Sequence, residues 1–304
     1  MCSKRSLVLS GGGCNGTLHL GALEVATTLF QCDVFQKRKF PFDRGVAGTS
    51  VGSLVGLGVI GGLSPQVMRV ACEGILPKLP PVADMLLSLK STCAAMGNNC
   101  LFLAVHTIMR LADIPIDVTF AELFERVPVP FVVCVSNFGT ERVEMMSVFS
   151  HPELEVARVV VASMSMPLVF PAVELVPGQW FQDGGVMCNL PTRVFPMEQT
   201  LALWITVSAQ PFKFDPHSLI CTIRKTLTMF WAAQDREIRE GVQHTHPANV
   251  VELRAQLPGF LLVDPGISEA FENGQLMMVR FLTQTIGNPA PLLAFILTEA
   301  RRSA

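Results

Sequence analysis

Gly48-Thr49-Ser50-Val51-Gly52 is the stretch that most narrows what this chain can fold into. An apolar run, Asp43 to Thr49, precedes it, and a run of small and apolar residues, Val51 to Ile60, follows. This is the G-x-S-x-G pattern of a strand that turns sharply into a helix. Glycines are needed at both ends because side chains there would collide with the neighbouring strand and helix. The turn lifts the Ser50 hydroxyl out of the sheet and sets the partly positive end of a helix beneath it. A five-residue pattern also arises as an ordinary glycine-rich turn with a structural serine, so its meaning depends on the rest of the chain.

The same region raises a membrane question. From Gly45 to Met68 there is no charged residue, a length that could span a bilayer. Gly48, Gly52 and Gly56 even have the small-xxx-small spacing of packed membrane helices. Seven glycines in the run and Pro65 argue instead for a buried strand–turn–helix. No transmembrane segment is expected, so membrane contact would be peripheral. The opening MCSKRSLVLSGGG is too short and too glycine-rich for a signal peptide. The composition, 50% apolar and 16% charged, suits a large α/β core, an apolar substrate or a membrane surface. A formal charge of −2 gives no reason to expect a nucleic-acid partner. Nine cysteines without a CxxC pair read as reduced thiols in a cytoplasmic setting, with no metal site and no cofactor.

Along the chain, Ser6 to Ser10 reads as a buried strand, Gly11 to Gly13 as a turn, and Asn15 to Phe30 as a helix. Asp43 to Thr49 and Val51 to Ile60 repeat the strand–turn–helix order, the signature of a parallel sheet covered by helices. Pro77 to Pro81 breaks the pattern, and Asp84 to Ala112 is mostly helical and apolar. Phe131 to Val135 is a short strand, and Val156 to Ser163 is an apolar run that ends at prolines. Trp180 to Asp183 leads into a Gly-Gly turn, and Leu201 to Val207 is the last strand expected. From Ser218 onward the pattern is mainly helical, with exposed charge around Asp235 to Glu240.

Two further motifs matter. Ser10-Gly11-Gly12-Gly13-Cys14-Asn15-Gly16 joins a strand to a helix, and its bare backbone N–H groups could hold an anion. Gly11, Gly13 and Gly16 also satisfy the dinucleotide-binding G-x-G-x-x-G pattern, with Glu24 or Asp33 as the ribose acid. Neither acid ends a second strand, and Thr17 stands where a P-loop needs lysine. Gln182-Asp183-Gly184-Gly185-Val186 alone would be an ordinary turn.

Together the three motifs resemble the patatin-like phospholipase family. SGGGCNGTLHLGAL, Ser10 to Leu23, is similar to its glycine-rich oxyanion loop and first helix. Gly48 to Gly52 is similar to its nucleophile elbow, and VVASMSMPLVFP, Val160 to Pro171, to the segment between its catalytic pieces. DGGVMCNLP, Asp183 to Pro191, is similar to its D-G-G base motif with a trailing Asn-x-Pro. Gly266 to Leu276 is more faintly similar. The resemblance spans about residues 5–210. It implies an α/β fold with a mostly parallel central sheet in three layers, as one domain over 1–304. A catalytic core over about 5–210, an apolar helical cap over about 78–125 and a helical part over about 216–304 are expected.

The resemblance implies a lipid acyl hydrolase of the phospholipase A or lysophospholipase type. Ser50 would be the nucleophile, Asp183 the general base, and the N–H groups of Gly11, Gly12, Gly13 and Val51 the oxyanion hole. Gly16, Gly48, Gly52, Gly184 and Gly185 would shape the loops. Catalysis would be independent of calcium. The partners would be a phospholipid or other fatty acyl ester and the surface of a membrane or lipid droplet. One departure stands out: the family loop usually carries Arg or Lys where this chain has Asn15. That leaves a silent lipid-binding relative as one alternative; the other is a dinucleotide-binding oxidoreductase, which the glycine loop allows but the elbow and D-G-G motif do not explain. A Ser–Asp–His triad would need His244 or His246, which flank Pro247 in a polar stretch and read as surface residues. His19 sits beside the glycine loop and reads as structural. The segment Leu101 to Leu111 is apolar on nearly every side, which fits a buried helix or a mobile cap.

Overall fold

The computed structural model describes residues 4–29, 42–75, 94, 96–207, 219–255 and 266–286. Ser6–Leu9 forms strand β1, and all four of its residues are buried. A strand apolar or small on both faces fits the interior of a parallel sheet covered on both sides. β2 (Gly45–Thr49) and β7 (Thr200–Val207) flank β1, both parallel to it. β3 (Phe131–Asn137) extends the parallel set beyond β2, and β8 (Val250–Ala255) extends it beyond β7. Three antiparallel pairings complete the sheet: β4 (Arg142–Met146) and β6 (Gln179–Asp183) with β3, and β5 (Val173–Val176) with β6. The hydrogen-bonded order is β5-β6-β3-β2-β1-β7-β8, with β4 also on β3.

The described helices are α1 (Thr17–Leu29), α2 (Val51–Ile60), α3 (Pro65–Ile75), α4 (Asn99–Leu111), α5 (Phe120–Arg126), α6 (Val156–Met164), α7 (Leu219–Ile238) and α8 (Ile267–Ile286). The period-two geometry of a strand sends Leu7 and Leu9 to one face and Val8 to the other. Leu7 and Leu9 join a large core with residues of α1, α2, α4, α6 and α8. On the opposite face Val8, Ala47, Val132 and Trp204 pack with Leu190 and Met197, and Ile238 and Val242 lie against them. α1 and α8 touch backbone to backbone. A side chain added at Gly21 would strike the Phe271 carbonyl, and one added at Gly274 the Leu18 carbonyl. That contact seats the Gly266 to Leu276 stretch on the first helix.

The expected mostly parallel sheet with flanking helices is the architecture observed, with several corrections. The Gly-rich loop first forms a 3-10 turn, Gly13–Gly16, so α1 starts at Thr17. The apolar run Val156 to Ser163 is a helix, α6. The part after residue 216 is not only helical, because β8 joins the sheet beside β7. Its alternation of buried Val251, Leu253 and Ala255 with Glu252 and Arg254 is short and interrupted by charge, which weakens the strand signal. The charged stretch near Asp235 is not wholly exposed: Asp235 accepts a hydrogen bond from the Trp204 indole N–H at 3.0 Å, and burial pushes its carboxyl up to about 6. Pro77 to Pro81, residues 84–93, Phe30, Asp33, His217 and the Ser218 boundary lie outside the described residues. α4 buries Leu101, Ala104, Val105, Ile108 and Met109 and leaves Leu103 and Leu111 exposed, so its apolar surface is only partly covered.

Candidate active site

Sheet register brings Ser50 and Asp183 together. β4 occupies one edge of β3 from Val133 to Asn137. β2 pairs with β3 up to Thr49↔Cys134, and β6 begins its pairing at Asp183↔Val135. Both must therefore use the other edge, end to end. β2 runs parallel to β3 and β6 antiparallel, so their C-terminal ends meet opposite consecutive residues of β3. Ser50 follows Thr49 directly, and its hydroxyl donates to Asp183 Oδ2 at 2.7 Å.

The elbow itself is strained. Ser50 has φ 52° and ψ −129°, a conformation suited to glycine, and the surrounding packing must hold it there. A Cβ at Gly52 would lie 2.5 Å from the Ser10 carbonyl and 2.6 Å from that of Leu9, and one at Gly48 would lie 2.6 Å from the Ser53 nitrogen. These approaches explain both flanking glycines. Ser50 N–H donates to Ser163 Oγ at 2.9 Å, and that hydroxyl donates on to the Cys134 carbonyl at 2.7 Å. The Ser53 hydroxyl caps the Ser50 carbonyl at 2.6 Å.

Asp183 is buried at 6% exposure. Its Oδ1 accepts from Gly185 N–H at 2.7 Å, its own N–H donates to the Ser165 carbonyl at 3.0 Å, and its carbonyl accepts from Ser136 Oγ at 3.0 Å. Burial raises its carboxyl from 3.8 to about 7, while the bonds from Ser50 and Gly185 pull the other way. A carboxylate of that basicity exchanges protons near neutral pH.

The glycine loop lies against the elbow. A Cβ at Gly11 would stand 3.2 Å from Ser50 Cβ, and one at Gly16 would strike the Val51 side chain. Gly11 N–H, however, already donates to the Asn189 carbonyl at 3.1 Å, so Gly11 leaves the expected set of oxyanion donors. Gly12 and Gly13 remain, as does Val51, whose N–H at the start of α2 has no acceptor within the helix. Gly184 and Gly185 form the short turn after Asp183. Asn15 is buried at 2% exposure, so a cation at this position would also be buried. His19 is buried, with Nε2 2.9 Å from the Ser10 carbonyl, and burial lowers its pKa to about 4. It is neutral at pH 7 and donates to that carbonyl. His244 is exposed, and His246 lies 3.6 Å from Glu198.

Sequence reasoning missed Ser163, Ser165 and Ser136, which fix the backbone around Ser50 and Asp183. Ser163 and Ser165 sit inside the VVASMSMP stretch that carries part of the resemblance. A lone serine has no periodic signal that marks it as a bracket.

The model of the family described as patatin-like phospholipase matches residues 7–196, more than half of the chain. The chain belongs to the patatin-like phospholipase family. A protein of Invertebrate iridescent virus 6 named probable lipid hydrolase 463L is 25% identical over 190 residues, which cover 62% of this chain and 61% of that protein. The chain thus spans under two thirds of that relative's length. Among solved structures, VipD of Legionella pneumophila superposes over 93% of this chain and 67% of its own, with a TM-score of 0.54 at 15% identity. The likeness to VipD concerns the fold. ExoU in its complex with SpcU, from Pseudomonas aeruginosa, aligns over 93% of this chain and 52% of its own, at 17% identity and a TM-score of 0.46. No described helix is long and apolar enough to cross a membrane.

Proposed function

We propose that the chain cleaves fatty acyl esters of phospholipids, in the manner of a phospholipase A or lysophospholipase, through Ser50, Asp183 and an acyl-enzyme. The observation that carries the reading is the 2.7 Å hydrogen bond from the strained Ser50 to a buried carboxylate. Asp183 takes the Ser50 proton as the hydroxyl oxygen attacks the ester carbonyl. The N–H groups of Gly12, Gly13 and Val51 receive the developing oxyanion, each donor contributing about 3–4 kcal/mol in comparable sites. Protonated Asp183 returns the proton to the leaving lysolipid or alcohol. A water, deprotonated by Asp183 in turn, then releases the fatty acid and frees Ser50. The family and the name of the viral relative support a lipid ester as the substrate, met at a membrane or droplet surface. The glycine loop packs on Ser50 and Val51, which supports an oxyanion role over dinucleotide binding.

The test compares wild type with Ser50→Ala. Wild type should hydrolyse a chromogenic acyl ester, release fatty acid from phospholipid vesicles by mass spectrometry, and be labelled at Ser50 by a fluorophosphonate. Ser50→Ala should lose turnover by more than about a thousandfold. Equal turnover by the two proteins would refute the assignment.

A further inference from the structure

Residues 184–189 form the turn that carries Asp183 toward Ser50, and they leave the sheet at once. Their backbone groups need partners that no strand supplies. Three of them are met by one side chain, Gln234 of α7. Its Oε1 accepts from Asn189 N–H at 2.9 Å, and its Nε2 donates to the carbonyls of Gly185 at 3.0 Å and Val186 at 3.1 Å. Gln234 lies outside residues 7–196, the part that the family model matches.

The contact reaches further than the turn. Asn189, whose N–H is held by Gln234, gives its carbonyl to Gly11 N–H at 3.1 Å. One amide therefore links the base turn to the glycine loop through a single intervening residue. The helix that presents it is itself fixed. Asp235 accepts from the Trp204 indole of β7, and Arg239 lies over that ring at 5.1 Å while donating to Glu252 of β8 at 2.7 Å. A carboxamide offers two N–H donors and an acceptor oxygen without charge, and glutamine has one more methylene of reach than asparagine.

We propose that Gln234 is a positioning residue, whose carboxamide sets the base turn against the glycine loop and so fixes Asp183 relative to Ser50. The effect on turnover rests on the proposed function; the effect on the turn does not. A methionine keeps the length of the side chain without its hydrogen bonds. A glutamate keeps the acceptor for Asn189 but sets a charge against two carbonyl oxygens.

The test uses the wild-type chain over all 304 residues, Gln234→Met and Gln234→Glu. Active sites are titrated with a fluorophosphonate, so that turnover is expressed per competent molecule. Gln234→Met should lower kcat by about ten- to hundredfold, the range expected from a misplacement on the order of 1 Å, with KM changed by less than about threefold. Amide hydrogen exchange should quicken at 184–189 and at 10–13 in Gln234→Met. Gln234→Glu should move the acid limb of the pH–rate profile upward, because a nearby negative charge disfavours ionised Asp183. A lower melting temperature with unchanged kcat per site and unchanged exchange at both segments would overturn the proposal and leave Gln234 as packing alone. If wild type hydrolyses no ester and Ser50→Ala changes nothing, the functional reading fails, and the exchange rates alone decide the role of Gln234: faster exchange upholds it and unchanged exchange overturns it.

Discussion

Replacing Asp183 by Asn should abolish ester hydrolysis and at the same time stabilise the protein at alkaline pH. Burial raises the carboxyl from 3.8 to about 7, which makes the charged form the unfavourable one in the folded state. The sign follows from the proton balance. Between the two values the unfolded chain has lost its proton and the folded chain keeps it. Stability from this group is therefore fully present below about 4, falls as pH rises, and is lost above about 7. At about 1.4 kcal/mol per tenfold in proton affinity, the whole difference amounts to roughly 4 kcal/mol. Asparagine keeps an oxygen for Gly185 N–H and gains an N–H that can donate to Ser50, so it escapes the ionisation penalty without orphaning either partner. Melting curves of the two proteins should nearly coincide at pH 4 and separate by several degrees at pH 8, Asp183→Asn melting higher. In wild type, kcat/KM should fall about tenfold per pH unit below pH 7, where the base is protonated. An acid limb centred near 4, together with equal melting of the two proteins at pH 8, would refute the claim that burial tunes this base.

Ser50→Gly and Ser50→Ala should be equally inactive, yet the glycine variant should melt higher, by about 1 kcal/mol, because it relieves the positive φ; differential scanning calorimetry would measure the gap. His19→Gln should lower stability by about 1–3 kcal/mol through disturbed burial while turnover per titrated site is retained, since His19 holds the Ser10 carbonyl and moves no proton. Turnover reduced as deeply as in Ser50→Ala, in a folded protein, would return a histidine to the mechanism. Asn15→Arg should lower the melting temperature, because the position is buried, and leave turnover per site within about threefold, because the donors belong to the backbone. A large gain in kcat would show that a cation at this position acts directly on the oxyanion.

Much of the site was legible because close backbone approach leaves its mark as glycine. Gly48 and Gly52 announce the elbow, and Gly11, Gly12 and Gly16 mark a loop packed closely on the side chains of Asn189, Ile205 and Val51. The meeting of Ser50 with Asp183 was legible only through the family resemblance. Nothing local to QDGG says that β6 shares an edge of β3 with β2. That arrangement is a matter of register between segments more than a hundred residues apart, which no window of sequence contains. β4, β5 and β8 were missed for a different reason. Each is short, and Arg142, Glu174, Glu252 and Arg254 interrupt the apolar signal, because strands toward the sheet margins can turn side chains to solvent.

Under the proposed function, the hydrogen bonds around Ser50 and Asp183 would let a carboxylate work without an intervening imidazole. A histidine contributes basicity near neutral pH and a rigid direction for the proton. Here burial supplies the first, lifting Asp183 to about 7. The second comes from fixing the carboxylate at both ends. Oδ1 is tied to Gly185 N–H, so Oδ2 is left to face Ser50, and the main chain of Asp183 is tied to Ser165 and Ser136. Ser50 is fixed in the same manner, since Ser163 holds its N–H and is anchored on the Cys134 carbonyl. Cys134 is also the residue of β3 that pairs with Thr49, and its neighbour Val135 pairs with Asp183. Ser50 and Asp183 are thus referred to one strand. Their separation is set by the spacing of consecutive residues along β3, so a change that moves β3 carries both partners together. A change in the turn at 184–189 moves only Asp183. Sensitivity to distant substitutions should accordingly concentrate in that turn and in the α7 face that contacts it.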